Sequence, residues 1–157
     1  MSLDRASPGP TLPDHLLGTW LLVSREDYDP TGQRHIDPML GASPLGILTF
    51  SSGWFAVQFM NRDRPEGPPP TLGLAPPTGS GANNSRAIAG YDAYFGTYEI
   101  RRGELLVTLK AALNPGDVGN QYVRQIELVG GKLTIRLDTT TASGTPVTRT
   151  LIFTRLG

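Results

Sequence analysis

Apolar and polar residues alternate along most of this chain, and a period of two predicts β-strands rather than helices. Clusters of Gly, Pro, Asn and Asp separate the alternating runs, as turns between antiparallel strands require. Gly130-Gly131 and Ser51–Gly53 predict tight hairpins. The pattern predicts eight strands: Thr19–Tyr28, Gly46–Phe50, Trp54–Met60, Tyr94–Arg101, Glu104–Leu113, Gln121–Val129, Lys132–Asp138 and Pro146–Arg155.

Three stretches depart from this alternation. Residues 61–83 hold six Pro and four Gly, and we expect a long loop that is either a lid over a binding site or a solvated excursion. Residues 84–92 have a helical pattern, with Asn84 or Ser85 as the N-cap, and predict a short helix. Residues 1–13 contain three Pro and no periodicity, so they are expected to form a flexible leader before one domain at 14–157.

Eight antiparallel strands joined mainly by short turns must protect their edges, and closure of the sheet removes edges completely. We therefore predict an all-β fold: an eight-stranded antiparallel up-and-down β-barrel with one short helix and a long Pro-rich loop. A two-sheet sandwich is the alternative that the same strands allow. A closed barrel of eight strands has room inside for side chains or for one small ligand.

Gly18-Thr19-Trp20 resembles the Gly-x-Trp motif that opens lipocalin-type barrels. The further motifs of the series, in order, are Leu17–Ser24, Pro44–Gly46, Gly53–Gln58, Arg62–Pro65, Ala93–Glu99, Asn114-Pro115, Val118–Gln121 and Arg124. Together they resemble the lipocalin-like domain family of bacteria and fungi. The resemblance covers about residues 16–156 and implies a calycin-type barrel with a central cavity, but little about activity.

The resemblance also bears on two particular positions. In lipocalin-type barrels the Trp of the motif packs beneath an Arg from the last strand, and Arg155 is placed to stack on Trp20 in this way. We expect this pair to be structural. The family often carries His on the strand that matches Leu106–Leu109, where this chain has Val107 and Thr108, so a His-based site is not expected.

Composition and charge exclude several classes of function. Fourteen Lys and Arg balance fourteen Asp and Glu without a basic stripe, so neither nucleic acid nor a membrane is an expected partner. The absence of Cys excludes disulfides, thiolate zinc sites and Cys nucleophiles. His15 and His35 have no partner at metal-ligand spacing, and no phosphate loop or nucleophile elbow is present. We predict no cofactor and no metal, and a cytoplasmic monomer or homodimer.

Arg124 is the first candidate for a ligand contact. It shares a strand face with Ile126 and Leu128, which predicts that its guanidinium points into the barrel. A buried Arg must find partners. These are either groups within the protein, such as an internal ion pair, or the anion or carbonyl of a ligand.

Other side chains would complete the site. Tyr94 and Tyr98 share a face on either side of Gly96, which marks an open spot or a bend of the barrel. Ordinary core packing is the alternative for each residue taken singly. The ligand-binding candidates are Gln58, Tyr94, Tyr98, Tyr122 and Arg124.

Three functions fit this arrangement. The first is binding of a small apolar or aromatic molecule in the central cavity. The second is a cofactor-independent isomerase, cyclase or dehydratase of secondary metabolism that uses the same cavity, with Tyr98, Arg124, Tyr94 or Asp92 as acid–base groups. The third is an interaction or structural module whose core is filled by its own side chains.

Overall fold

A computed structural model describes residues 12–66 and 83–156 of the 157-residue chain. In these two described ranges one short helix precedes nine strands, and a 3₁₀ turn at Pro115–Asp117 lies between the sixth and seventh strands. The elements are α1 (Leu12–Leu16), β1 (Gly18–Tyr28), β2 (Arg34–His35), β3 (Leu45–Ser51), β4 (Trp54–Met60), β5 (Tyr91–Arg101), β6 (Glu104–Ala112), β7 (Gln121–Val129), β8 (Lys132–Thr140) and β9 (Pro146–Arg155).

The strands form a closed antiparallel barrel. From β3 to β9 each strand pairs with the next in the chain, β3 pairs with β1, and β1 pairs with β9 to complete the ring. The two-residue strand β2 is an addition that pairs with the end of β1. The predicted eight-stranded up-and-down barrel is therefore confirmed, and the β1–β9 pairing excludes the open sandwich.

The up-and-down order gives the barrel two different ends. One end carries α1, the start of β1 and the predicted hairpin turns after β3 and β7, and we call it the closed end. The other carries β2 and the segments 36–44, 61–66, 83–90, 113–120 and 141–145, and we call it the open end. The longer connections, and with them any entrance, lie at the open end.

The helix predicted at 84–92 is absent, so this prediction is wrong. The segment is extended and ends in a tight turn where Ile88 and Tyr91 exchange backbone hydrogen bonds, and β5 begins at Tyr91. Its backbone pairing and the buried Ser85 hydroxyl stabilise the extended form over two helical turns, which are too few to be stable alone. Among the described residues the α-helix is α1, part of which falls in the stretch expected to be leader.

Two predictions concern stretches that lie largely outside the described residues. The proposed lid or excursion at 61–83 is described only at its two ends, 61–66 and 83. The leader is described only at Leu12 and Pro13.

A bulge in β1 changes which side chains face inward. The pairing of β1 with β9 shifts register between Leu22 and Ser24. Simple alternation would group Arg25 with the exposed Leu21 and Val23, yet Arg25 is 8% exposed. The extra residue in the bulge reverses the facing of the strand beyond it and turns Arg25 and then Asp27 into the barrel.

Gly96 marks a close approach of two strands rather than an open spot. A Cβ at this position would lie 1.8 Å from the carbonyl oxygen of Thr108 on β6. The register of β5 against β6 also shifts beside it, between Phe95 and Gly96. Of the two readings of this glycine, the bend of the barrel is the correct one.

Candidate functional site

At the closed end, Trp20 and Arg155 form a cluster in which side-chain N–H groups donate to backbone carbonyls. The Arg155 guanidinium lies 4.2 Å from the centre of the Trp20 ring, which confirms the predicted stacking. Its two Nη atoms donate to the carbonyl oxygens of Leu17, at 2.7 Å, and of His15. The Trp20 indole N–H donates to the Leu16 carbonyl at 2.9 Å. These groups have internal partners, so the pair is structural.

Tyr98 belongs to this closed end and not to the cavity. Its hydroxyl donates to the carbonyl oxygen of Ser51 at 3.0 Å, and its ring packs edge-on against Phe50 with 5.1 Å between ring centres. Tyr98 is not among the described residues that line the cavity. The expectation that it contributes to a ligand pocket is therefore not met.

An inner cavity of about 50 Å³ remains within the barrel. An engineered cavity that binds benzene measures about 150 Å³, whereas a single water needs about 10–15 Å³, so this space suits a few waters or one small polar group. The interior is thus neither completely filled nor large enough for a whole aromatic molecule. The polar residues of its lining are Arg25, Asn84, Asp92, Tyr94, Arg124 and Arg149, and the rest are Leu, Ile, Val and Phe.

Arg124 lies in this lining with an unusual set of contacts. Its side chain is nearly buried, and Nη1 donates to the Asn83 amide oxygen and to the Val123 carbonyl, both at 3.1 Å. The guanidinium also lies 5.0 Å from the centre of the Tyr122 ring. Nη2 is buried and makes no hydrogen bond to the described residues. Tyr94 is a further neighbour of the guanidinium and favours its charged form. No carboxylate of the described residues forms an ion pair with Arg124. Burial consequently lowers the pKa of Arg124.

Two further arginines line the cavity and, unlike Arg124, have ionic partners. Arg149 forms a two-point ion pair with the buried Asp27, at 2.8 and 2.9 Å. Arg25 contacts Asp37 at 3.3 Å. The alternation of β9 already placed Arg149 beside Leu151 and Phe153, so a sequence signal for it existed. No periodic signal identifies Arg25, because the β1 bulge reverses its facing.

Asp92 adds an acid to the same cavity. It is 3% exposed, and burial raises its pKa to about 7. The Ser85 hydroxyl lies 2.7 Å from Asp117 and 3.3 Å from Asp92, and its one hydrogen cannot serve both carboxylates at once. A proton on Asp92 resolves this conflict, because Asp92 can then donate to the Ser85 oxygen.

The remaining candidates differ in their placement. Tyr94 lines the cavity, and burial raises the pKa of its hydroxyl, so Tyr94 is a neutral hydroxyl near pH 7. Tyr122 lies beneath Arg124, burial raises its pKa to about 12, and its hydroxyl donates to Asp117 at 3.3 Å. The placement predicted for Gln58 is wrong. It lies on the outer face of β4, where the Tyr91 hydroxyl donates to it at 2.6 Å. Alternation separates the two faces of β4 but does not say which is inner, and the bulky Phe55, Val57 and Phe59 take the core.

A second, larger space lies at the open end. This outer chamber measures about 340 Å³, within the size range of small-molecule sites. It is built from the segments 35–39, 86–89 and 140–142, together with Asp27 and Arg149. Arg149 is in the lining of both spaces. The chamber is lined by Asp27, His35, Ile36, Asp37, Pro38, Met39, Arg86, Ala87, Ile88, Ala89, Thr140, Thr141, Ala142 and Arg149.

The described residues hold neither a metal-binding cluster nor a membrane-spanning helix. Within 12–66 and 83–156, no three His, Cys, Asp or Glu side chains are grouped so that they could hold a metal ion. The same residues contain no helix that is long and apolar enough to cross a membrane.

Comparison with known proteins gives one clear relationship. No curated protein matches the sequence. The family profile of the lipocalin-like domain matches residues 17–156, which is nearly the whole chain. The match spans every strand of the barrel, from Gly18 at the start of β1 to Arg155 at the end of β9. The chain therefore belongs to the lipocalin-like domain family, and its fold is that of a barrel suited in general to ligand binding.

Proposed function

We propose that this protein binds a small apolar or aromatic molecule that carries an anionic oxygen, and that Arg124 binds this oxygen inside the barrel. The unpartnered, buried Nη2 of Arg124 is the observation that carries the proposal. A buried charge without a partner is costly, and folded proteins rarely keep one unless it serves a purpose. The anion of a ligand would supply the missing acceptor.

The surroundings of Arg124 favour this role over a purely structural one. Arg25 and Arg149 are paired with Asp37 and Asp27, so their charges are already compensated. The groups around Arg124 are an amide oxygen, a backbone carbonyl, an aromatic face and the neutral hydroxyl of Tyr94, which are all uncharged. These contacts orient the guanidinium and leave its positive charge available to a ligand. Charge-assisted hydrogen bonds are about twice as strong as neutral ones.

The anchor can be tested with a probe small enough for the inner cavity. We expect acetate to bind the wild-type protein and acetamide, which has a similar shape and no charge, to bind much more weakly. Two-dimensional NMR titrations would follow the backbone amides around Val123 and Gln125. Arg124→Gln is expected to weaken acetate binding by at least about tenfold, the value of one charged hydrogen bond.

A matched control separates this effect from a general loss of positive charge. Arg136 on the neighbouring strand β8 is more than half exposed, so Arg136→Gln should leave acetate binding unchanged. Equal binding of acetate and acetamide to the wild-type protein would contradict the proposal. Native mass spectrometry of the purified protein would then identify any molecule that it retains.

A second candidate function is cofactor-independent isomerisation, cyclisation or dehydration, and Asp92 is the observation that favours it. An acid with a pKa near 7 that lines the cavity of a buried Arg is suited to moving a proton next to a developing negative charge. The Asp92 carboxylate would remove a proton beside a carbonyl while Arg124 stabilises the enolate oxygen.

Hydrogen–deuterium exchange at the methyl group of pyruvate, followed by NMR in D₂O, would detect such proton removal. We expect the wild-type protein to accelerate exchange with a pH dependence centred near 7, and Asp92→Asn to abolish the acceleration. A rate equal to that of protein-free buffer across pH 5–9 would argue against this second candidate and would leave the binding function standing.

A further inference from the structure

The inner cavity alone cannot hold the molecule that the proposed function requires. Its volume of about 50 Å³ suits a carboxylate group, whereas binding sites for whole small molecules measure about 300 Å³ or more. The outer chamber has about 340 Å³. The apolar body of the ligand therefore needs the outer chamber, if the two spaces can be used together.

Two ion pairs form the boundary between the two spaces. In the first, Arg25 lines the inner cavity and its partner Asp37 lines the outer chamber. In the second, Arg149 lines both spaces and its partner Asp27 lines the outer chamber. Arg149 therefore belongs to the walls of both spaces, and a ligand that reached from one to the other would pass beside it.

The walls of the outer chamber are largely apolar, in contrast to the two ion pairs at its boundary with the inner cavity. Two segments contribute its apolar side chains, Ile36, Pro38 and Met39 from one and Ala87, Ile88 and Ala89 from the other. Ile36 and Met39 are 56% and 44% exposed, although they line a concave space. An apolar group placed between these segments would cover them and bury apolar area.

We propose that the ligand is an amphipathic carboxylic acid, with its carboxylate at Arg124 in the inner cavity and its apolar tail in the outer chamber. The inference rests on the proposed function, because it uses Arg124 as the anchor. It adds the chemical class of the ligand and a second compartment. The orientation of the ligand follows from volume and charge. Arg124 lies in the inner cavity, which is too small for a tail, so the carboxylate enters this cavity and the tail stays in the outer chamber.

A series of linear probes tests this arrangement by calorimetry. Acetate fits the inner cavity, octanoate adds a tail of six carbons, and octanol has a tail without the carboxylate. We expect wild-type protein to bind octanoate on the order of 100-fold more tightly than acetate, which is what partial burial of the added methylenes would give. Octanol should bind at least about tenfold more weakly than octanoate.

Variants assign the two ends of the ligand. The double variant Ile36→Gln with Met39→Gln alters exposed side chains, so the barrel should fold normally, and we expect it to weaken octanoate binding by about tenfold without changing acetate binding. Val129→Gln, at a residue 65% exposed near the closed end, is the matched control and should change neither. Arg124→Gln should weaken both acids and leave octanol unchanged.

Each outcome has a separate meaning. If acetate does not bind, or binds independently of Arg124, the proposed function itself is wrong. If acetate depends on Arg124 but octanoate binds no more tightly, or the double variant leaves octanoate unaffected, the two-compartment inference is wrong and the binding function stands. If the double variant weakens octanoate and octanol equally while Arg124→Gln affects neither, the ligand lies wholly in the outer chamber, which also overturns the inference.

Discussion

Arg155 at the closed end and Arg124 in the inner cavity both stack on an aromatic ring, at 4.2 Å from Trp20 and 5.0 Å from Tyr122. Their hydrogen bonds differ. Both Nη atoms of Arg155 donate to backbone carbonyls, whereas Nη2 of Arg124 is buried and makes no hydrogen bond to the described part of the chain. Stacking on a ring therefore does not distinguish a structural arginine from a candidate ligand contact. The hydrogen bonds of its N–H groups do distinguish them.

The same contrast separates the closed end, where the polar groups around Trp20 have partners, from the inner cavity, where the charge of Arg124 has none among the described residues. At the closed end the polar groups around Trp20 are satisfied by nearby carbonyls, so a ligand has nothing to add. Toward the open end the charges of Arg25 and Arg149 are compensated, but that of Arg124 is not. Substitutions that remove one charge from either part should therefore have different consequences for stability and for binding.

The largest effect is expected from breaking the ion pair between Arg149 and Asp27. Arg149→Met leaves Asp27 buried without its two-point ion-pair partner and should lower the free energy of unfolding by about 3–5 kcal/mol. Urea denaturation at pH 7 measures this. Arg124→Met is the comparison, because it removes an uncompensated charge and should change stability by less than about 1 kcal/mol or increase it. A similar loss in both variants would contradict the distinction between paired and unpaired arginines.

A pH-dependent effect of intermediate size is expected from Asp92. Its pKa rises from an ordinary 3.8 to about 7 on folding, so the folded state binds the proton more tightly than the unfolded state. Burial of the Asp92 carboxylate therefore lowers the free energy of unfolding when the group is ionised. This loss of stability is absent below about pH 4, grows as the pH rises to about 7, and is then constant, with an upper limit of about 4 kcal/mol.

Comparison of the wild-type protein with Asp92→Asn measures this loss of stability. The variant cannot titrate, so its stability relative to the wild-type protein should rise by 2–4 kcal/mol, roughly, between pH 4 and pH 7. Urea unfolding at several pH values gives the difference. A constant difference across this range would show that the pKa of Asp92 is not raised.

The smallest effect is expected at the closed end. Arg155→Gln removes the stacking on Trp20, and we expect a loss of about 0.5–2 kcal/mol in the free energy of unfolding. Acetate and octanoate binding should be unchanged, because Arg155 lies at the closed end and lines neither the inner cavity nor the outer chamber. A weaker affinity for either acid in a folded Arg155→Gln protein would show that the two ends are coupled.

The strands followed from local pattern, and the stacked pair at the closed end followed from the family resemblance. Alternation and turn chemistry predicted all eight barrel strands to within a few residues. The resemblance of Gly18-Thr19-Trp20 to the motif of lipocalin-type barrels predicted that Arg155 stacks on Trp20. The prediction of a helix at 84–92 was wrong, because Ser85 and Ile88 find partners that a short local pattern cannot reveal.

The sequence by itself determined that the chain forms a meander of antiparallel strands, since alternation and turn residues act over only a few positions. Tertiary structure alone decided the site. The β1 bulge brought Arg25 inward, and only the packing of distant segments left Nη2 of Arg124 without a partner. The outer chamber likewise exists only because segments 35–39, 86–89 and 140–142 meet in space, and no local pattern records such a meeting.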